Sequence, residues 1–535
     1  MATAPAVSAQ TDFDAVVVGA GFAGLVRLHR LRGIGTTARV FEAGSGIGGT
    51  WFWNRYPGAR CDIESLEYSY QFSEELQWEW EWTERYATQP EILRYIEHVA
   101  DRFDLRRDIQ LDTRVRAAHW SDAEGRWKIA TERGDVTARF LIMATGCLSS
   151  ANIPAFPGRD SFAGKTYHTG RWPHGGVDFT GQRVAVIGTG SSAIQSIPLI
   201  AEQAAHLTVF QRTPSYSIPA HNAPLAPETV RVVKSDYAGF RQRNAQQPFG
   251  ANFPPNRVLA LQTDATERDR VYEQRWQIGG LGFITSFADL LFDRNANETA
   301  AEFVREKIRA IVHDPAVAEK LSPKQVIGCK RLCVDTGYFA TFNRPNVSLV
   351  DVSETPIEAI TPRGVRVAGV EHEVDAIVFA TGFDAMTGAL LAVDIRGSGG
   401  RTLREKWAAG PRTYLGVQTA GFPNLFIITG PGSPSVLANM VPAVEQHANW
   451  IADCLAHLRD HGIARIDPQP AAEDAWVGHV NDVANLTVFP SCNSWYLGAN
   501  VPGKPRVFMP YIGFPTYVAK CDEVAAKGYE GFALS

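Results

Sequence analysis

Two glycine-spaced segments are the residues that most constrain the chemistry. Gly19-x-Gly21-x-x-Gly24 follows the run Ala15-Val-Val-Val18 and precedes a helical stretch from Leu25 to Arg32. In that setting the first glycine makes a tight turn and the second admits a pyrophosphate, with Phe22 and Ala23 beside it. The third lets helix pack on strand, and the helix N-terminus faces the negative charge. Glu42 ends a second strand, Ala38-Arg-Val-Phe-Glu42. A carboxylate there accepts ribose hydroxyls and suits a ribose without a 2′-phosphate, as in FAD. The plainer alternative is a glycine turn with a surface glutamate.

The second segment is Gly188-Thr189-Gly190-Ser191-Ser192-Ala193, between the strand from Gln182 to Ile187 and a helix through Gln203. Its second strand, His206 to Gln211, is followed by Arg212 and Thr213 rather than ending in an acid. A carboxylate would repel a 2′-phosphate, whereas a guanidinium and a hydroxyl capture one. This site is therefore expected to prefer NADPH over NADH; the alternative is a solvated arginine at a strand end. Two dinucleotide sites in one chain imply hydride transfer from nicotinamide to flavin. A disulfide reductase would need a close cysteine pair near the flavin, and Cys61 and Cys147 are isolated. Dioxygen is the acceptor that remains.

Two strand–turn–helix–strand units define an α/β fold with two Rossmann-like dinucleotide-binding domains. The segments Phe140-Leu-Ile-Met-Ala-Thr-Gly146 and Ala376-Ile-Val-Phe-Ala-Thr-Gly382 resemble each other and are expected to return the chain between the units. Their order predicts one domain interrupted by another. Residues 13–150 and 380–535 form the first, 151–174 a linker, and 175–379 the second. A helical insertion is expected over about 224–312, and residues 1–12 are expected to be a disordered lead. Gln77-Trp-Glu-Trp-Glu-Trp-Thr-Glu84 alternates aromatic and acidic residues and reads as a half-buried strand or extended segment.

The chain of 535 residues is too long for one ordinary core. Its net charge of −5 gives no reason to expect nucleic acid or an anionic membrane as partner. No apolar run approaches a membrane span, and the N-terminus lacks the pattern of a signal peptide. Seven scattered cysteines argue against a disulfide framework and for free thiols in a cytoplasmic protein. Cys329 and Cys333 alone make a poor zinc site, so no metal is expected. No coiled coil appears, which leaves a monomer or weak oligomer.

Three further motifs carry a family resemblance: Phe162-x-Gly164-x-x-x-His168-x-x-x-Trp172-Pro173, Gly49-x-Trp51-x-x-x-x-Tyr56-Pro57-Gly58-x-x-x-Asp62, and the paired Ala-Thr-Gly strand ends. The chain resembles the type I Baeyer–Villiger monooxygenases through nearly its whole length, including Gly430-Pro-Gly-Ser-Pro-Ser435 and Asn493-Ser-Trp-Tyr-Leu-Gly-Ala-Asn500. The wording is closest to the branch acting on aryl, cyclic and steroid ketones. The resemblance implies FAD, NADPH (kept as NADP⁺ through the cycle), O2 as co-substrate and a small-molecule ketone that becomes an ester or lactone. Arg331 then matches the residue that stabilises the flavin peroxide anion and the tetrahedral intermediate, and Asp62 the acid that positions it. By residue type alone, Lys330-Arg331 before Leu-Cys-Val would read as the approach to a strand.

Lys330 matches a residue near the 2′-phosphate, and Arg60, Asp62 and Arg331 match further NADP contacts. Trp495 matches a tryptophan on a mobile loop over that cofactor. Thr50, Trp51, Phe52, Trp53, Asp62, Tyr68 and Val115 match FAD contacts. Ser435, Val436, Leu437 and Met440 match the lining of a substrate pocket. His168 and Trp172 are expected to govern domain geometry, not to serve as a base. Two alternatives stay open: a monooxygenase of amines or sulfides, and a non-catalytic NADPH-binding redox sensor.

Overall fold

The run Phe13-Asp-Ala-Val-Val-Val18 forms β1 (Phe13–Val18), whose last four residues are buried. A strand covered on both faces needs such an unbroken apolar run. The computed structural model describes residues 11–535. Most of the expected lead lies outside the described residues, but Asp12 is fixed: its backbone and carboxylate bond Thr137.

The first sheet gathers β2 (Ala38–Phe41), β3 (Ile109–Gln110), β4 (Val115–Ser121), β5 (Arg126–Thr131), β6 (Gly134–Met143), β17 (Asp394–Arg396) and β18 (Leu425–Ile427) around β1. Its order is β17-β4-β5-β6-β1-β2-β3, and β18 pairs with the end of β6. Strands from both ends of the chain therefore share one sheet. The second sheet is wholly parallel and is built from β7 (Lys165–His168), β8 (Arg183–Ile187), β9 (His206–Gln211), β12 (Val347–Asp351) and β16 (Ala376–Phe379). Its order is β12-β9-β8-β16-β7. Short strands β10 (Ser217–Pro219) and β11 (Cys333–Asp335) pair with each other, and β13 (Ala359–Thr361), β14 (Gly364–Val367) and β15 (Val370–Glu373) make a small antiparallel sheet.

Helix α1 (Phe22–Gly33) packs against the long helix Met440–Asp460, and buried Arg27 donates to the Ala448 carbonyl at 2.8 Å. Short α2 (Thr50–Trp53) follows the Gly48-Gly49 turn, and α4 (Gln89–Arg102) packs on it. Helix α5 (Ser191–Gln203) follows the second glycine loop. The segment after Pro224 carries α6 (Pro227–Ser235), α7 (Tyr237–Ala245), α8 (Ala265–Ile278) and α9 (Arg294–Ile311). Among the described residues no helix is long and apolar enough to cross a membrane.

Three expectations are corrected. Residues 77–79 lie not in a strand but in α3 (Glu74–Glu79), and the backbone becomes extended only at Trp80. Ser73 caps that helix by accepting the Leu76 N–H, and Glu74 and Glu75 favour its first turn, which outweighs the alternating pattern. Residues 165–168 are not linker but the edge strand β7, in register with β16. Cys329 and Cys492 are not free thiols: they form a disulfide across 163 residues, with Cα atoms 6.2 Å apart. Spacing in sequence could not show that pair, because the fold alone brings its ends together. The other five cysteines are free and buried.

Candidate active site

The two glycine loops sit at equivalent places in their sheets. Gly19 has φ +106°, and a Cβ there would come 2.6 Å from the Ala144 carbonyl oxygen. Gly188 has φ +115°, and its Cβ would come 2.4 Å from the Ala380 oxygen. The two Ala-Thr-Gly segments thus do the same work: each follows the strand beside a glycine loop and brings backbone against its first glycine. A side chain at either position would combine a left-handed φ with a clash against backbone. A Cβ on Gly24 would fall on the Gly19 oxygen, whereas α5 accommodates Ala193 buried at the matching place.

Both loops open into one cavity of about 1550 Å³. That exceeds the ~300–1,000 Å³ of a pocket for one small ligand. The expected dinucleotide contacts Gly19, Gly21, Phe22, Ala23, Glu42, Thr50, Trp51, Trp53, Tyr68 and Val115 line one part. Arg60, Gly188, Thr189, Gly190, Ser191, Ser192, Arg212, Thr213, Lys330 and Trp495 line another, and Asp62, Arg331, Val436 and Met440 line it as well. Gly24, Phe52, Ala193, Ser435, Leu437 and the fingerprint residues Phe162, Gly164, His168, Trp172 and Pro173 do not. Phe52 instead fills the space left by Gly44 and Gly46. Ser435 bonds Cys147 at 2.9 Å, and Leu437 joins a buried apolar cluster behind the wall.

The glycine loops test whether dinucleotides fit. A Cβ on Gly190 would meet no protein atom within 4 Å and would project into the cavity. The protein atoms nearest a Cβ on Gly21 would be the backbone of Gly48 and Gly49. Bare backbone at the N-termini of α1 and α5 is the cradle a pyrophosphate needs. Glu42 is buried and accepts the Ala20 and Gly44 N–H groups, both at 2.8 Å. Burial raises its carboxyl pKa, and those two N–H groups partly oppose the rise.

Arg212 is exposed to the cavity, and the half-buried Lys330 stands near it. Burial, then the Arg212 charge, lowers the Lys330 pKa. Among the described residues neither has an acidic partner within ion-pair distance. Two neighbouring cations without an anion suit a phosphate. Arg60 is already engaged by Glu84 at 2.9 Å.

In the wall of the same cavity, Arg331 holds Asp62 through two parallel hydrogen bonds, Nε to Oδ2 at 2.6 Å and Nη2 to Oδ1 at 2.8 Å. Its Nη1 donates to the Val436 carbonyl at 2.7 Å. Burial would lower the guanidinium pKa, but the Asp62 charge and hydrogen bonds outweigh it and raise the value. The two side chains stay 24% and 21% exposed, so the fixed charge is reachable from the cavity.

The sequence reading missed several neighbours. Buried Tyr496 lies beside Arg331; burial pushes its phenol up to about 12 against the pull of the guanidinium. Gln195 on α5 accepts the Tyr56 hydroxyl at 2.8 Å and donates to the Arg60 carbonyl at 3.1 Å. A Cβ on Gly58 would strike the Gln195 backbone oxygen. The Tyr56-Pro-Gly58 turn is therefore a dock for the second glycine helix. Tyr56 and Tyr496 both stand inside the quoted motifs, but nothing in their spacing names the partner.

The fingerprint has a comparable place. His168 is buried; its Nδ1 accepts the Gly170 N–H at 2.9 Å, and burial lowers its pKa to about 4. It is neutral near pH 7 and packs beside Phe383. Ser192, at the start of α5, donates to Thr169 at 3.0 Å. A Cβ on Gly164 would meet the Asp375 oxygen at 2.3 Å, and Trp172 makes tilted ring contacts with Tyr167 and Phe179, which also meet each other edge-on.

Two Rossmann-like sheets opening on one cavity define an oxidoreductase of two dinucleotides. Residues 16–238 match the family model described as pyridine nucleotide-disulphide oxidoreductase. The chain is 44% identical to a Baeyer-Villiger monooxygenase of Pseudooceanicola batsensis, over 97% of this chain and 95% of that one. It is 41% identical to a phenazine N-monooxygenase of Lysobacter antibioticus, over 98% and 97%. Among solved structures it superposes on an oxidized steroid monooxygenase bound to NADP, with TM-score 0.93 and 55% identity over 98% and 99%. The chain belongs to the Baeyer–Villiger monooxygenase family.

Proposed function

We propose that this protein uses FAD, NADPH and dioxygen to convert ketones, cyclic, aryl or steroid-like, to esters or lactones. FAD belongs on the first sheet (residues 13–150 and 380–535), held by Gly19, Gly21 and Glu42. NADPH belongs on the second (residues 175–379), with Arg212, Thr213 and Lys330 taking its 2′-phosphate. The two cofactors together supply hydride and carry oxygen to the substrate.

The observation that carries the proposal is the Arg331–Asp62 pair. A guanidinium fixed on two sides, at a carboxylate and at the Val436 carbonyl, needs no reorganisation to meet an oxygen that gains negative charge. Oxygen insertion beside a carbonyl builds such charge on the former carbonyl oxygen. Asp62 keeps Arg331 charged and in place. Val436, Met440 and Trp495 line the cavity, and on this reading they offer an apolar wall to a bulky ketone. His168, neutral and buried off the cavity, sets the angle of the second sheet and moves no proton.

Oxidation of an amine or sulfide is the second reading, because a relative of comparable identity is named an N-monooxygenase. NADPH-dependent turnover of a panel of ketones, amines and sulfides, read by mass spectrometry, separates the two. Esters or lactones from ketones are expected; N- or S-oxides with ketones untouched would overturn the proposal.

A further inference from the structure

The disulfide joins two places that matter to the cavity. Cys329 immediately precedes Lys330 and Arg331, and Cys492 begins the loop that carries Trp495. Cys329 is fully buried, whereas Cys492 is partly exposed and lines the cavity. The far end of the same loop is held differently. Asn500 donates to the Phe383 carbonyl at 2.7 Å and accepts from Asn152 at 3.0 Å. Lys504 donates to Asp384 at 2.5 Å and to the Ala385 carbonyl at 2.6 Å. One end of the Trp495 loop is thus fastened by reversible polar bonds beside the second Ala-Thr-Gly segment. The other end is fastened by the covalent Cys329–Cys492 bond.

We propose that Cys329 and Cys492 are a peroxide-oxidised dithiol site whose closure staples the Trp495 loop across the cavity and so retains the nicotinamide cofactor. This rests on the assignment of the second glycine loop to NADPH. The oxidant is hydrogen peroxide, either from outside or from turnover that fails to reach a ketone. The accessible Cys492 thiolate attacks the peroxide; an S–O bond forms, the O–O bond breaks, and hydroxide leaves to become water. The Cys329 thiol then attacks the sulfenic sulfur; the S–S bond forms, the S–O bond breaks, and the expelled hydroxide takes the thiol proton. Two thiols and one peroxide give one disulfide and two waters, with two electrons passing from sulfur to oxygen. A loop already tied at both ends has less freedom to lose when it orders over a ligand, so closure favours retention of NADP⁺.

The test uses the FAD-loaded enzyme reduced with a phosphine and reoxidised with one equivalent of hydrogen peroxide. Alkylation and peptide mapping should show the Cys329–Cys492 link lost and then restored, with the five other cysteines unlinked throughout. Chymotrypsin should cut at Trp495 or Tyr496 faster in the reduced form, and the Kd for NADP⁺ should rise about tenfold on reduction. Cys329→Ser/Cys492→Ser should match the reduced form in both respects, with its FAD content unchanged. A second reduced sample receives NADPH without ketone, with or without catalase. A link that forms only without catalase assigns the oxidant to the enzyme's own turnover; a link that needs added peroxide assigns it to an outside source, and either supports the site. The proposal is overturned if the native link resists the reductant, if peroxide does not restore it, or if loop cleavage and NADP⁺ affinity are the same in both states. Should NADP⁺ bind neither state, the nucleotide assignment itself fails, while mapping and proteolysis still report on the thiols.

Discussion

The two glycine loops are built alike and equipped differently. In each, a glycine with φ above +100° lies against the carbonyl of an Ala-Thr-Gly strand end, Ala144 for Gly19 and Ala380 for Gly188. Beyond that shared turn they diverge. The first loop faces a buried carboxylate whose oxygens accept two backbone N–H groups. The second faces two cations that lack an acidic partner among the described residues. On the proposed assignment, backbone geometry lets a dinucleotide bind at each loop, and the side chain after the second strand selects which one. Arg331 and Asp62 belong to neither loop; they line the one cavity into which both loops open.

The most severe test of this contrast is to fill one turn at a time. Gly19→Ala should yield protein without FAD, because strain of ~1–3 kcal/mol adds to a backbone clash. Gly188→Ala should keep FAD, yet its flavin should no longer bleach with NADPH. Bound-flavin content and anaerobic bleaching check both, and equal loss of FAD in the two variants would erase the distinction. Next in size, Arg331→Ala should slow ester formation by about 10²–10³-fold while leaving FAD content unchanged. Product formation at the parent rate would remove Arg331 from the chemistry. A smaller effect is expected from Arg212→Ala. The preference for NADPH over NADH should fall about 10- to 100-fold, the value of one charged hydrogen-bond site, measured as the ratio of kcat/KM for the two coenzymes.

The smallest effect is a divergence with pH. Burial raises the Glu42 pKa above 4.5, so on acidification it takes up a proton earlier than an ordinary glutamate. FAD release should then begin at a pH above that ordinary value. Burial and Arg212 lower the Lys330 pKa below 10.5, so on alkalisation it loses its proton earlier than an ordinary lysine. The Kd for NADPH should begin to rise below that value, with Arg212 still charged and holding part of the affinity. Flavin release and NADPH titrations across pH should show loss at opposite ends; loss at the same end would contradict the assignment of charges.

Much of the contrast between the loops was legible in the sequence because it is local. The glycine spacings, Glu42 and Arg212 lie within one strand–loop–helix–strand unit each, where hydrophobic period and turn chemistry fix their positions. The repeated Ala-Thr-Gly was visible too, although its reason, a carbonyl held against a glycine, needed the fold. What escaped was contact at long range. Cys329 meets Cys492, Tyr56 meets Gln195 and Tyr496 meets Arg331 across more than a hundred residues, and no local period encodes such partners. Lys165–His168 looked like linker because a four-residue edge strand carries too little pattern to declare itself. Arg331 itself was legible only by resemblance, since a basic pair before a strand is ordinary until Asp62 is seen beside it.

Oxygen is expected to pass to a ketone in the space between these two unequal dinucleotide sites. Single turnover with isotopically labelled dioxygen, NADPH and a ketone observes that transfer itself. One labelled oxygen, inserted as the new ester oxygen beside an unlabelled carbonyl, with one NADPH consumed per ester, is the predicted result. NADPH oxidation that yields only hydrogen peroxide, or an ester whose inserted oxygen carries no label, would contradict it.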